Sequence, residues 1–109
     1  MRQSENGLNL RAGEALSIHQ KAYGPEGLQV STDLNRIGIA DRDGGKLEDA
    51  EKDLKRALSI REKQLAPQNS MIAVSLENLA SVYLLQGKPD KAAPLIARAR
   101  TIRAHPAGG

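Results

Sequence analysis

The sequence predicts an all-α protein, a solenoid of antiparallel helix pairs with five helices and about two and a half repeats. Three observations lead to this prediction. Residues recur in register at a spacing of 42 positions, and the apolar residues within each unit follow helical spacing. Alanine and leucine carry most of the apolar surface, whereas Trp and Phe are absent. The 109 residues suffice for one small domain.

The repeat runs along the whole chain without a gap. The tetrapeptide Ala-Leu-Ser-Ile at residues 15–18 recurs at residues 57–60, and the same offset takes Arg61 to Arg103 and Gly45 to Gly87. Chance explains any one match but not a shared register across every segment. One helix pair cannot bury its own apolar stripe, so successive pairs are expected to stack.

Five helices follow from the apolar spacing and its interruptions. The first, over residues 6–23, forms half a repeat. The helices over 28–43 and 46–64 form the next repeat, and the latter starts with acidic and ends with basic residues, as the helix dipole favours. The fourth helix, over 70–86, begins at Ser70 as a cap and stops before Gly87. Pro89 opens the fifth, over 89–104. Residues 1–104 are thus one repeat domain, with repeats over 28–64 and 70–104, and 105–109 form a flexible tail.

The composition excludes several classes of protein. Without cysteine the chain has no disulfide, Cys-ligated metal or thiol nucleophile. Residues 1–7 lack the apolar run of a secretory signal, and no stretch of about 18 apolar residues exists, so we expect a cytoplasmic protein without a membrane span. The 16 basic and 13 acidic residues are interspersed. This pattern, with no aromatic residues for base stacking, makes nucleic-acid binding a minor alternative.

Catalytic and metal sites are not expected either. His19 and His105 are the two histidines, and neither has a second histidine at metal-ligand spacing. Asp41 and Asp43 project in different directions on a helix and make a poor carboxylate pair. His19 holds the repeat position of Arg61, and we expect both on exposed helix surface. The sequence therefore predicts no enzyme, metal or cofactor.

The chain resembles the tetratricopeptide repeat family over nearly its whole length. The segments Leu-Glu-Asn-Leu-Ala-Ser-Val-Tyr at 76–83 and Gln-Gly-Lys at 86–88 carry the resemblance. The period of 42 and the Ala-Leu-Ser-Ile-Arg-Glu-Lys segment at 57–63 are similar to the kinesin-light-chain variety. The resemblance implies a right-handed superhelix that binds proteins or peptides. Asp41 departs from the pattern because Tyr83 holds its place one repeat later; we expect it to reach solvent or to pair with Arg42 or Lys46.

By this resemblance, the first helix of each pair lines a concave groove. The groove residues would be Thr32, Asn35, Arg36, Ile39 and Arg42 from one helix, and Val74, Glu77, Asn78, Ser81 and Leu85 from the other. Asn78 lies where the family often keeps an asparagine whose amide can donate to and accept from a peptide backbone. Arg36 and Arg42 either grip a carboxylate of an acidic peptide or are ordinary surface cations.

The helices at the two ends of the array lack neighbours that would cover their apolar residues. Leu8 and Leu16 lie on the first stripe, and Ile96 and Ile102 on the last. Open ends of this kind are normally capped, so we expect either a longer array or pairing with another copy by dimerisation or helix exchange. The sequence thus predicts a non-enzymatic scaffold that binds a peptide or helix in its groove. A homo-oligomerising module is the alternative, and a basic nucleic-acid adaptor ranks below both.

Overall fold

The computed structural model describes residues 11–105, and within them it contains five α-helices and no strand. They are α1 (Ala12–Tyr23), α2 (Leu28–Asp43), α3 (Leu47–Gln64), α4 (Ser70–Leu85) and α5 (Pro89–Ala104). The predicted all-α repeat fold is confirmed. No described helix combines the length and the apolar character that crossing a membrane requires.

The predicted helix boundaries agree with the structure to within about one residue except at α1. Arg11 has extended backbone angles (φ −66°, ψ 152°) and precedes the first turn, where its N–H donates to Glu14 Oε1 at 3.0 Å. The described helix therefore starts at Ala12, and residues 6–10 of the predicted helix lie outside the described residues. At α4 the cap is Asn69 rather than Ser70, because the Asn69 side chain accepts the N–H of Met71 at 2.8 Å. His105 follows α5 and is exposed, and residues 106–109 lie outside the described residues.

Two turns that are 42 residues apart share one geometry. Gly45 and Gly87 both adopt left-handed φ angles, +82° and +75°. After α2, the N–H of Lys46 bonds to Asp41 O at 2.8 Å, and after α4 the N–H of Lys88 bonds to Tyr83 O at 2.8 Å. Glycine is favoured at both places because a Cβ disfavours this backbone conformation. The repeat in sequence is thus a repeat in backbone structure.

The helices form two layers, and the spacing within each layer sets the curvature. Consecutive helices pack on one another, and α2 also contacts α4 directly. The helices α1, α3 and α5 of the other layer do not approach one another in this way, and long side chains bridge the gaps between them, such as Arg56 to Gln20 (2.8 Å) and Arg98 to Glu62. Because α2 and α4 approach more closely, the array curves toward them. We call their outward surface the concave face.

Apolar side chains fill the space between the layers. Leu34, Leu54 and Leu76 are at most 1% exposed, and each lies in one of three successive clusters. One cluster joins α2 to α3 and reaches Leu16 of α1, and the other two join α3, α4 and α5. The core is therefore continuous along the stack, as expected for a solenoid.

The first full repeat carries an acidic pair where the second has apolar residues. Asp41 is half-buried at the position of Tyr83, and Asp53 is half-buried at the position of Leu95. Burial raises the pKa of the Asp53 carboxyl above its ordinary value, and the charge of Asp41 raises it further. Within residues 11–105, Asp41 has no ion-pair partner, since Arg42 binds Asp43 instead at 3.1 Å. Of the two outcomes expected for Asp41, partial exposure is the one found.

Asp53→Asn is expected to raise the midpoint of thermal unfolding at neutral pH. The folded pKa of Asp53 is raised, so the folded chain binds this proton more tightly than the unfolded chain, and stability is lost as pH rises through the folded pKa. The amide cannot ionise, so the gain should vanish in acid, where the carboxyl is already protonated. Calorimetry at both pH values tests this. Glu48→Gln, an exposed change on the same helix, should give no gain; an equal gain in acid would contradict the expectation.

Candidate functional site

The ten predicted groove residues lie on α2 and α4, but they differ in exposure. Arg36, Val74, Glu77 and Leu85 are exposed, whereas Asn35 is only 8% exposed. The remaining five are half-buried: Thr32, Ile39, Arg42, Asn78 and Ser81. The face is thus a partly filled seam between α2 and α4 with exposed groups on both sides.

Four of these residues meet at the contact between α2 and α4. The Asn78 side-chain amide donates to Asn35 Oδ1 at 3.4 Å, and Arg42 Nη1 donates to Ser81 Oγ at 2.9 Å. Ser81 in turn donates to the carbonyl of Asn78 at 2.7 Å. Within residues 11–105 the Asn78 side-chain amide makes this one long hydrogen bond, which leaves its oxygen and second N–H without a partner there.

Apolar groups on the concave side of α4 are unusually exposed. Val74 near its start is 37% exposed, and Leu84 and Leu85 at its end are 51% and 61% exposed. Leu85 lies eleven positions after Val74, which corresponds to about 16 Å along the helix. The groove prediction missed Leu84. The signal was present, because Val82 and Tyr83 fill the core and leave the rest of this apolar run facing outward.

The charged residues of the face are arranged differently from the prediction. Arg42 is held by Ser81 and Asp43, whereas Arg36 has no hydrogen-bond or ion-pair partner within residues 11–105. Glu77 turns to the far edge of α4 and accepts two hydrogen bonds from Arg103, at 2.6 and 2.7 Å. These bonds lower the pKa of the Glu77 carboxyl despite some burial. Arg36 is therefore the exposed cation of the groove.

Arg61 and His19, expected on exposed surface, instead make polar contacts between the layers. Arg61 is 4% exposed and donates to Ser31 Oγ (3.1 Å), Ser75 Oγ (2.9 Å) and Met71 O (3.1 Å). Burial lowers the pKa of its guanidinium. The expectation was wrong because the serines that satisfy Arg61 lie on two other helices.

The equivalent contact one repeat earlier is a hydrogen bond to a buried acidic side chain. His19 Nδ1 lies 2.6 Å from Asp33 Oδ2, with side chains 35% and 2% exposed. His19 and Asp33 occupy the repeat positions of Arg61 and Ser75. The same junction is therefore closed by a different pair of side chains in each repeat.

The four residues predicted for contacts between copies are in different environments. Leu16 and Ile96 are half-buried, and Ile102 is 3% exposed against α4. Ile102 is not available to a second copy while α5 stays packed, so its prediction as an open contact is wrong. Leu8 lies outside the described residues. The exposed large apolar residues of α1 are instead Ile18 and Tyr23, at 50% and 56%.

A second concavity lies on the outer side, between α3 and α5. It has a volume of about 550 Å³, a floor of Leu58, Leu79 and Leu95, and charges of both signs around its rim. Lys91 lies over the ring of Tyr83 at 5.7 Å. The mixed rim selects no class of ligand. Among residues 11–105, no group of three or more acidic, histidine or cysteine side chains is placed to hold a metal ion.

Comparison with known proteins agrees with this architecture. The family model for the tetratricopeptide repeat matches residues 34–104. The crystal structure of BtubC (BKLC) from P. vanneervenii is similar, with a TM-score of 0.80 and 28% sequence identity. The match covers 90% of this chain and 39% of that one, so this chain spans about two fifths of the similar structure. No curated protein matches the sequence.

Proposed function

Because the chain belongs to the tetratricopeptide repeat family, whose repeats mediate protein–protein interactions, we propose that it is a non-catalytic scaffold that binds a peptide or helix of a partner protein on its concave face. The observation that carries the proposal is the amide of Asn78, which lies on this face with one long intramolecular hydrogen bond. An amide that donates and accepts reads a peptide backbone without regard to its side chains.

The rest of the face supports a ligand with both apolar and acidic groups. Val74 and Leu85 offer apolar contacts about 16 Å apart along α4, and Arg36 offers an exposed guanidinium. A guanidinium binds a carboxylate through two parallel hydrogen bonds. Arg42 contributes less because Ser81 and Asp43 already hold it.

Asn78→Ala and Arg36→Glu are each expected to weaken peptide binding by about tenfold or more, while helical content is unchanged. Peptides would be selected from a displayed random library on the immobilised chain, and their affinities measured by titration calorimetry. The first variant removes the backbone-reading amide. The second repels an acidic ligand.

Lys52→Glu is the matched control, because it reverses the same charge on an exposed residue of α3 in the outer layer. It should leave the affinity within about twofold of wild type, as expected for an exposed charge outside the site. Equal losses from Lys52→Glu and Arg36→Glu would make the effect one of net charge. Wild-type peptide affinity in Asn78→Ala would contradict the proposal that the peptide binds on the concave face.

Self-association is a second candidate function, favoured by the exposure of α1. Ile18 is 50% exposed, whereas Ile60 at the same repeat position is 2% exposed. No residue of α1 reaches full burial. Nucleic-acid binding ranks below both, because carboxylates of Glu26, Glu62 and Glu77 pair with basic residues of α3 and α5.

A further inference from the structure

The junction between the two full repeats shows which surfaces pack when one repeat follows another. Glu51 of α3 accepts hydrogen bonds across it from Tyr83 at 3.5 Å and from Gln86 at 3.1 Å, and three further side-chain pairs join α2 and α3 to α4. They are Asn35 with Asn78, Arg42 with Ser81, and Arg61 with Ser75. Because the backbone repeats every 42 residues, the same offset identifies the surfaces that would meet at the next such junction.

One of those surfaces is the edge formed by α4 and α5. The offset places Glu77, Leu84 and Arg103 where Asn35, Arg42 and Arg61 lie one repeat earlier. We call these three residues the α4–α5 edge. Within residues 11–105, no helix packs on it. Leu84 is 51% exposed, and the paired side chains of Arg103 and Glu77 are 48% and 44% exposed.

The other surface lies on α2. There Arg36, Ile39 and Asp33 occupy the positions of Asn78, Ser81 and Ser75 on α4. We call these three residues the α2 edge. If an α2 edge packs on an α4–α5 edge as α4 packs on α2 and α3, three pairs form. They are Glu77 with Arg36, Leu84 with Ile39, and Arg103 with Asp33.

All three pairs are complementary in chemistry. Two join opposite charges, and the third joins two aliphatic side chains, one of them half-exposed in the single molecule. Within the chain these places hold an amide pair and two arginine–serine contacts. Complementary charges fix the register of an interface and disfavour other partners. The complementary surface is therefore carried by this chain itself.

The α2 edge is partly covered by α1, which is weakly held. His19 of α1 binds Asp33, but α1 has 12 residues and none is fully buried. Two repeats further on, Arg103 holds the position of His19. A second molecule's α5 thus carries a permanent cation for the carboxylate that His19 now binds.

We propose that the α4–α5 edge of one molecule packs on the α2 edge of a second copy and displaces the α1 of that copy. The proposal rests on the second candidate function, self-association, and it uses Arg36, Ile39 and Glu77, which are also among the predicted groove residues. The two surfaces differ, so the contact is head to tail and adds further copies instead of closing as a dimer. The array then continues across molecules with the spacing that it has within one.

Charge reversal at one pair tests the proposal with the full chain. Glu77→Arg places two guanidinium groups against each other at this pair, and Arg36→Glu places two carboxylates against each other. Each variant alone should therefore self-associate about tenfold more weakly than wild type or worse. In an equal mixture every contact between the two variants joins opposite charges. The mixture should therefore assemble as wild type does, in sedimentation velocity over a concentration series.

Each outcome of this experiment either supports or contradicts the proposed contact between the two edges. Assembly restored only in the mixture supports the contact. A mixture that stays monomeric, single variants that assemble like wild type, or a wild type that is monomeric at every concentration overturns it. Circular dichroism shows that the variants fold. Asn78 belongs to neither edge, so the peptide affinity of Asn78→Ala reports on the concave face and not on the edges, and the two proposals fail independently.

Chemical crosslinking locates the contact because the chain has no cysteine of its own. Ile39→Cys molecules mixed with Leu84→Cys molecules should form a mixed dimer with a short bis-maleimide reagent. The reagent supplies length because the equivalent pair within the chain, Arg42 and Ser81, is joined through the end of an arginine side chain, whereas a direct disulfide needs closely spaced Cα atoms. Leu85→Cys in place of Leu84→Cys is the control, since Leu85 lies off the edge but is more exposed. Equal crosslinking at both positions would indicate random collision and contradict the proposed register.

Discussion

Arg61→Ala is expected to lower the free energy of unfolding by about 3 kcal/mol, the largest loss from any single side chain considered. The change removes three donors that Arg61 directs to Ser31, Ser75 and Met71 O. Ser75 is fully buried, so water does not replace the lost donor. The Arg61 side chain lies where α2, α3 and α4 meet, so its removal weakens the packing of both repeats. Urea unfolding followed by circular dichroism gives the value.

Arg103→Ala is the matched control for Arg61→Ala, since it removes the same side chain at the same repeat position. Arg103 is exposed and pairs with the exposed Glu77, so its loss should cost much less than the loss of Arg61. Arg61→Met tests the cause: it refills volume without donors and should recover only part of the loss. Equal effects at 61 and 103 would show that burial and the serine contacts do not matter.

The fold could be predicted because its determinants are local. Helical spacing, the turn glycines Gly45 and Gly87 and the first-turn Pro89 each act within a few residues. These signals placed helices α2 to α5 to within about one residue of where they lie. Repetition strengthened each signal, because the second copy is an independent instance of the same pattern.

The polar contacts between helices could not be predicted in the same way. A basic residue near the C-terminus of a helix is already explained by the helix dipole. Nothing in the local sequence around Arg61 therefore indicated that its side chain is buried. Its partners Ser31 and Ser75 lie 30 and 14 residues away, on two other helices. The sequence did hold one clue. His19 and Asp33 differ together from Arg61 and Ser75, as expected for positions in contact.

His19→Ala is expected to release α1 from the array. The change leaves Asp33, which is 2% exposed, as a buried carboxylate without its partner. Because α1 is short and no residue of it is fully buried, we expect α1 to detach and admit water to Asp33. Hydrogen exchange of amides in residues 12–23 should therefore quicken by about tenfold or more, while exchange in α3 and α4 stays unchanged. Ser17→Ala, an exposed change on α1, is the control, and equal exchange in both variants would contradict the argument.

The same substitution should strengthen self-association, although it destabilises the single molecule. Once α1 has detached, the α2 edge is uncovered and His19 no longer occupies the carboxylate of Asp33. Asp33 can then form a charge-assisted hydrogen bond with Arg103 of a second copy. An ordinary destabilising change gives the same faster exchange without head-to-tail assembly. His19→Ala combined with Arg103→Ala separates these cases, because it frees α2 but removes the incoming cation. In sedimentation velocity, His19→Ala should assemble more strongly than wild type. The double variant should assemble as wild type does, or more weakly. Stronger assembly in both variants would mean that exposed apolar surface, and not the carboxylate of Asp33, drives the contact.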